Sequence, residues 1–589
     1  MHRVRQLGKR LRGRHLLGKP GGPNRPPRPP GGGRNYDSLI HASSTLRDAS
    51  STIFLEGRMA GTVKMRRGVR QGDPLSPMLF NMVVDELLDL LRAGDFGAEV
   101  AAGVRCPGMA FADDFVLLAD SCRDLQRALD VSEAFFRRRG MCLNPAKSRV
   151  LAKKKFGGTL LPVRDPGVRV GRASIPAVDD LNPFKYLGFV VGTSGITRPC
   201  LTNYPGWMTR LLAFPLKPQQ KMNLLRTHLL PRLFYGVQNC KISAACLKSI
   251  DRVTRHYAKK ILHLHLHTPD ALLHAPLREG GLGVTELRAT IPHVFRSRIG
   301  RLGDGAGRDS TLSAVLGSAT VTRLLRRLDS LCGDSSPIVY HRQKISSGCF
   351  SAGLQQVSAD AASRHWITNP PRGWSGGDWV RAVHLRTANL PTVGIPSNPV
   401  ELRRCRGGCN AVETVCHILQ ACPVAHDSRI HRHNAVATKI AVQCRKDGRE
   451  VLEEPHIRHP DGTLYKPDLI VFRSPTDAIV CDVQVSWEVG PSSAEVWRRK
   501  RDVYGNPKFL EAARRRWPGT TFEFLPLIAG ARGVWPSCNA PTSQALRIHA
   551  GLRRSCVAAV LKWGCSAHRS FMKRVWKDDA TRRFRMGNN

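Results

Sequence analysis

GVRQGDPLSPMLFNMVVDELL (Gly68 to Leu88) and, a short way downstream, AFADDFVLLAD (Ala110 to Asp120) decide how this chain is understood. The second string places two adjacent acids, Asp113 and Asp114, between apolar runs. Like charges side by side in apolar surroundings cost free energy unless a cation neutralises them. A divalent metal is the expected remedy, and phosphoryl transfer is the usual reason to hold one. In the first string Gly68, Gly72 and Pro74 surround Arg70, Gln71 and Asp73. Such a turn lets backbone approach a ligand closely before a helix that starts near Pro77. Taken singly, the strings are an ordinary glycine-containing loop and a common Asp-Asp turn; their order and spacing carry the information.

The rest of the composition agrees with a polyanionic partner. The chain has 589 residues, with 91 Lys and Arg against 46 Asp and Glu, a formal net charge of +45. Binding to nucleic acid explains such an excess and should weaken steeply with salt. A membrane surface is the weaker alternative, because no apolar run approaches the roughly 18 residues of a spanning helix. An apolar secretory core is absent from the N-terminal stretch. The 17 cysteines are an odd number scattered through a long chain. That pattern fits free thiols and one metal cluster in a reducing compartment, not a disulfide framework.

Composition also divides the chain. Residues 1–35 contain no acid and are rich in Arg, Gly and Pro, so residues 1–45 are expected to form a basic disordered tail. A mitochondrial presequence is the rival, although the Pro/Gly block would interrupt the amphipathic helix it needs. Residues 46–200 have the look of a mixed α/β unit. VVDELLDLL (Val83 to Leu91) has helical spacing, FVLLA (Phe115 to Ala119) suggests a short buried strand, and LQRALDVSEAFFRRRG (Leu125 to Gly140) an amphipathic helix ending at glycine. Residues 201–300 are expected to be helical, with LKPQQKMNLLRTHLLPRL (Leu216 to Leu233) the clearest segment. Residues 301–400 are a connecting region with helices, 401–435 hold a Cys/His cluster, and 440–589 form a second α/β unit.

Further strings follow in a specific order. GMCLNPAKSRVL (Gly140 to Leu151) and FKYLGFVV (Phe184 to Val191) resemble the later palm motifs of reverse transcriptases, and Leu216 to Leu233 resembles the start of the thumb. The chain resembles the Pol polyproteins of non-LTR retrotransposons, of the site-specific kind that insert into ribosomal RNA genes and carry a restriction-like endonuclease. The resemblance covers about residues 46 to 589. It implies that Asp113 and Asp114 bind catalytic Mg²⁺, that Arg70, Gln71 and Gly72 line the template and incoming nucleotide, and that Lys147 assists pyrophosphate departure. It also implies a further metal-binding Asp on an upstream strand reading roughly "DxxKAFD". No such string is present; Asp37, in NYDSLIH, is the one substitute nearby. The chain is therefore expected to be an N-terminally truncated form whose polymerase site holds half of a two-metal clamp.

CRGGCNAVETVCHILQAC (Cys405 to Cys422) has the form Cys-x3-Cys-x7-His-x4-Cys through Cys405, Cys409, His417 and Cys422. Three thiolates and one imidazole suit a closed tetrahedral Zn²⁺ site, which would give so short a segment its folding energy. Cys416 is a possible competing ligand, and His426, His431 and His433 lie close behind. The alternative is a run of buried free cysteines. The spacing matches the family named above, whose knuckle precedes the endonuclease and contacts nucleic acid or braces that domain.

HPDGTLYKPDLIVF contains Asp461-Gly462, a hairpin-turn signal. LIVF (Leu469 to Phe472) and AIVCDVQV (Ala478 to Val485) are expected to be strands joined by RSPTD. A hairpin centred near Pro475 puts Asp468 opposite Asp482, with side chains roughly 5 Å apart. Facing carboxylates at that distance call for a bridging divalent ion, the Mg²⁺ site of a PD-(D/E)xK nuclease. Gln484 stands where that pattern usually has lysine, two residues on and on the same face. AEVWRRKRDVYGN (Ala494 to Asn506) suggests a helix with Lys500 and Tyr504 on one side. The resemblance implies that this pair serves the nuclease, Lys500 stabilising phosphate charge or orienting water and Tyr504 supporting it. In the plainer account Asp468 is a turn residue, Asp482 a salt-bridged strand residue and Lys500 part of a solvated face.

The fold class expected is therefore α/β and α+β multidomain: a partial reverse-transcriptase palm, a helical thumb, a zinc knuckle and a PD-(D/E)xK-type endonuclease. The resemblance implies Mg²⁺ and Zn²⁺ as cofactors, an RNA template and target DNA as partners, no membrane, and work in the nucleus. The alternative is a catalytically decayed RNA- or DNA-binding protein.

Overall fold

The computed structural model describes residues 50–586, except 65–67, 70–71, 180, 182, 197–202, 238–242, 266–267, 306–308, 333–335 and 348–350. The described residues form two compact units, one from residues up to 197 with 302–322, the other from 198–301 with 323–589. Both mix helices with several small sheets. No described helix is long and apolar enough to cross a membrane. The basic tail and Asp37 lie outside the described residues, as do Arg70 and Gln71.

In the first unit the apolar spacing of Val83 to Leu91 becomes the helix Ser76–Ala93, with Pro77 in its first turn and Leu87 and Leu91 fully buried. Proline suits that place because the first helical N–H groups have no intrahelical partner. The helix Cys122–Arg138 is capped by Ser121, whose hydroxyl accepts from the Asp124 N–H, and ends before Gly140, which takes a left-handed φ of 71°. Its Ala128, Phe135 and Phe136 pack with Leu87 and Leu91 into one small core. Against these helices lies a hairpin of Gly108–Phe111 and Asp114–Leu117. The strand expected to be buried from Phe115 to Ala119 is thus Asp114–Leu117 and only half-covered. The short helix Ser310–Leu316, far along the chain, belongs to this unit as well.

In the second unit the segment Leu216 to Leu233 folds as Pro218–Leu224, a wider π turn over Leu225–Leu229, and Leu230–Val237. Pro231 explains the interruption. It has no N–H to donate and its ring crowds the carbonyl one turn back, and a single π turn relieves both. One apolar core runs through this unit from Tyr204 to Val575, taking in Trp379, Cys405, Ile418, Ile440, Leu469, Cys481 and Phe571. The four-stranded sheet runs in the order Glu450–Glu453, Leu469–Ser474, Asp477–Cys481, Thr521–Phe524. Its first three strands are antiparallel neighbours and the last pairs in parallel. The strand expected as one piece from Ala478 to Val485 is broken at Asp482. Asp477–Cys481 stays in the four-stranded sheet, while Val483–Ser486 pairs in parallel with Leu527–Gly530. Gln484 accordingly belongs to a different sheet from the strand that leads into Asp482. Beside the sheet runs the helix His426–Lys446, which buries Val436, Ile440 and Cys444.

Candidate functional site

In the first unit Ala112, at φ 52°, turns the chain so that Phe111 pairs with Asp114 and the two acids stand at the hairpin tip. Both are exposed, which corrects the expectation that they are wedged in apolar surroundings. Burial, then the neighbouring Asp113, raises the Asp114 carboxyl above its ordinary value. Tyr186, on the strand Phe184–Tyr186, has its phenol raised by burial and by the charge of Asp114; no spacing in the sequence marks this neighbour. Gly72 takes φ 96° in the turn before the helix, where Asp73 accepts from the Leu75 N–H at 2.8 Å. Lys147 ends a 3₁₀ turn capped by Asn144 and is exposed. Among the described residues no third acid joins Asp113 and Asp114 in a metal-sized group.

The Cys/His cluster converges. The ligand atoms of Cys405, Cys409, His417 and Cys422 all lie within 4.8 Å of one another. Cys422 Sγ is 3.9 Å from Cys405 Sγ and 3.7 Å from Cys409 Sγ. Tetrahedral thiolates at about 2.3 Å from zinc stand about 3.8 Å apart, so the donor set fits the ion. His417 Nε2 is buried with no protein partner, as a ligand atom awaiting a metal would be. Local structure fixes the four. Gly408, at φ 86°, closes the loop by donating to the Cys405 carbonyl at 3.1 Å, and Thr414 caps the helix Val415–Gln420 that carries His417. Glu413, fully buried, holds Arg406 at 2.7 Å. Burial raises all three thiols, so their thiolate form depends on a cation. The competing candidates go elsewhere. Cys416 senses Glu488 and Arg532, His426 meets Arg429, and His431 stacks on Trp563.

His433 goes to the second cluster. Its Nε2 is 3.0 Å from Asp468 Oδ2 and 2.9 Å from the Val483 carbonyl oxygen. The hydrogen bond with Asp468 raises the imidazole to about 9, against the opposing cost of burial. Asp468 lies one residue before its strand and Asp482 one residue beyond the paired strand, next to the terminal pair Leu469↔Cys481, and the two carboxylates feel each other's charge. The Val483 N–H donates to Asp468 Oδ2 at 2.6 Å. Asp482 is 5% exposed; burial first, then Asp468, raises its carboxyl, while Lys500 and Tyr504 work the other way. Lys500 Nζ lies 2.6 Å from Asp482 Oδ2, and the Tyr504 hydroxyl donates to Asp482 Oδ1 at 3.2 Å. Tyr504 is also 3.1 Å from the Lys466 carbonyl oxygen. Both side chains come from the helix Ser493–Tyr504, which Ser492 caps. Asp482 and Asp468 thus each meet a basic partner, Lys500 and His433, and two carboxylates brought this close can also share a cation. The sequence spacing anticipated the meeting of Asp468, Asp482, Lys500 and Tyr504; His433 it marked only as lying close behind the Cys/His cluster.

Residues 37–191 match the family model for reverse transcriptase (RNA-dependent DNA polymerase). The chain is 44% identical over 546 residues to a retrovirus-related Pol polyprotein from type-1 retrotransposable element R2 of Popillia japonica, covering 92% of this chain and 76% of that one. A second such polyprotein from the same organism is 43% identical, over 91% of this chain and 88% of its own length. The Pol polyprotein from type-2 retrotransposable element R2DM of Drosophila melanogaster is 32% identical, over 85% of this chain and 50% of that one.

Proposed function

The chain belongs to the Pol polyproteins of R2-type non-LTR retrotransposons, a reverse transcriptase/endonuclease family, and on that premise we propose that it nicks target DNA at the cluster around Asp468 and Asp482. The observation that carries this reading is the meeting of Asp482 with Lys500 at 2.6 Å and Tyr504 at 3.2 Å, with the Asp468 carboxylate close enough to raise Asp482. A Mg²⁺ ion bound there supplies Lewis acidity and an activated water. Lys500 stands ready to stabilise charge gathering on the phosphate, the role that the pattern gives to a lysine at the position of Gln484. Tyr504 ties Asp482 to the Lys466 carbonyl and holds the carboxylate in one orientation.

In this reading residues 46–200 are the palm of the polymerase, 201–300 its thumb, 301–400 a connector, 401–435 a zinc knuckle and 440–589 the endonuclease. Asp113 and Asp114 contribute one side of the Mg²⁺ clamp for copying RNA, and Arg70, Gln71, Gly72 and Lys147 attend the template, nucleotide and pyrophosphate. The nick supplies a 3′ end from which the RNA is copied, in the nucleus. Zinc at Cys405, Cys409, His417 and Cys422 holds the knuckle against the long helix Ala550–Met586, where the Phe571 ring lies close to Gly407.

The test is a plasmid-nicking assay on the purified full chain with Mg²⁺ or EDTA. Nicking in Mg²⁺ alone that disappears in Asp468→Ala and Asp482→Ala supports the assignment. Equal cutting by those variants removes it. Salt-sensitive retention of nucleic acid without any nicking favours the binding-protein alternative.

A further inference from the structure

Three side chains on one face of the helix Ser493–Tyr504 grip the strand break at Asp482. Trp497, Lys500 and Tyr504 stand at i, i+3 and i+7, which puts them one above another along the helix. Lys500 and Tyr504 both reach the Asp482 carboxylate. Trp497 instead donates its indole N–H to the Pro526 carbonyl at 2.7 Å. Pro526 sits between two residues that clasp the break. The Leu525 N–H donates to the Val480 carbonyl at 3.0 Å, and the Leu527 N–H to the Asp482 carbonyl at 2.9 Å. Trp497 therefore fixes the helix to the backbone around Asp482, whatever the charge on the carboxylate.

The ion pair of Lys500 with Asp482 weakens when a cation comes to share that carboxylate. The helix also carries Arg498, Arg499 and Arg501 against only Glu495 and Asp502, so a cation at Asp482 repels it. A neutral hydrogen bond to a backbone carbonyl is indifferent to both changes. We propose that Trp497 is a positioning residue of the nuclease, the anchor that keeps the Lys500 ammonium at Asp482 while the carboxylate is shared. This role rests on the nuclease reading above and adds to it a residue that acts only through Lys500.

The test is Trp497→Phe in the full chain, which keeps a ring against the core and removes the N–H. The Pro526 carbonyl is not orphaned, because the Thr542 hydroxyl donates to it at 2.6 Å, so the variant is expected to melt close to the parent. Reductive methylation in Mg²⁺ without DNA, read by mass spectrometry, is expected to modify Lys500 several-fold faster in the variant, relative to the other lysines. Single-turnover nicking is expected to slow about tenfold with DNA retention unchanged, and Trp497→Phe added to Lys500→Ala is expected to cost nothing further. Lys500 labelling equal to the parent's, or a nicking loss of the same size in the Lys500→Ala background, overturns the positioning role and leaves the nuclease reading standing. Should Trp497→Phe melt well below the parent, hydrogen exchange of the parent decides: residues 493–504 are expected to exchange equally slowly with and without Mg²⁺, and faster exchange in Mg²⁺ overturns the anchor. A parent chain that does not nick, or whose Asp482→Asn variant nicks equally well, takes away the nuclease reading and this role with it.

Discussion

Lys500 Nζ stands 2.6 Å from Asp482 Oδ2, and the carboxylate it meets is almost wholly buried. An ammonium in that place offsets charge that the interior could not otherwise hold. Lys500→Ala is expected to slow single-turnover DNA nicking by about 100-fold or more while leaving nucleic-acid retention on a filter unchanged. Tyr504→Phe, which removes one hydrogen bond to Asp482, should cost about tenfold or less. Equal rates in Lys500→Ala and the parent chain would show that the lysine only neutralises a structural acid.

The knuckle should carry one zinc per chain. Cys422 is fully buried within the same apolar core as Ile440, Leu469 and Phe571, so losing the ion disturbs more than a surface loop. Cys422→Ser is expected to abolish zinc binding and to destabilise by more than about 4 kcal/mol, a size for which metal loss is a recognised cause. Metal analysis and chemical denaturation measure the two effects. A zinc-free variant with the parent's denaturation midpoint would contradict the knuckle's place in the core.

Arg532 and Glu488 form an ion pair at 2.9 Å whose side chains are 0% and 1% exposed. Glu488 also accepts from the Arg532 N–H at 2.8 Å. Replacing Arg532 by methionine strands the carboxylate, at an expected cost of about 3–5 kcal/mol. The double change Arg532→Met with Glu488→Leu should restore part of that loss in a urea titration, only part because the buried Arg386 and Arg432 also lose the charge of Glu488. Restoration of nothing would place the main cost in packing.

Asp114 lies at an exposed hairpin tip with Asp113 beside it. With half of a two-metal clamp the chain is expected to extend primers on RNA weakly at most, and Asp114→Asn to remove any such extension while leaving DNA nicking unaltered, since its unit is compact by itself. Gel assays of both reactions on one preparation decide it. Extension that persists in Asp113→Asn and Asp114→Asn together would take the polymerase chemistry away from this hairpin.

Much of the cluster around Asp482 was legible in the sequence because β geometry is periodic. A turn near Pro475 and a two-residue repeat suffice to oppose Asp468 and Asp482, and a helical spacing suffices to align Lys500 with Tyr504. The break at Asp482 was not legible: AIVCDVQV is apolar and β-branched throughout, and the handover to a partner at Leu527–Gly530 depends on chain far downstream. Nor was the fate of His433, where pairing across distant segments outweighs nearness to cysteines. The π turn at Leu225–Leu229 could have been anticipated from Pro231, whereas the exposure of Asp113 and Asp114 could not, because apolar flanks say which residues face the core but not how far a turn protrudes.

The helix His426–Lys446 begins just after the last zinc ligand, Cys422, and carries His433 to Asp468. Each residue added to an α-helix turns the following side chains by about 100° and advances them about 1.5 Å. Inserting or deleting a single residue between Ala425 and His433 would therefore swing the imidazole off its carboxylate while every zinc-binding and acidic side chain stayed in place. The length of that short stretch is a gauge that fixes how far the Cys/His cluster stands from Asp468, and it tolerates substitution far better than a change in count.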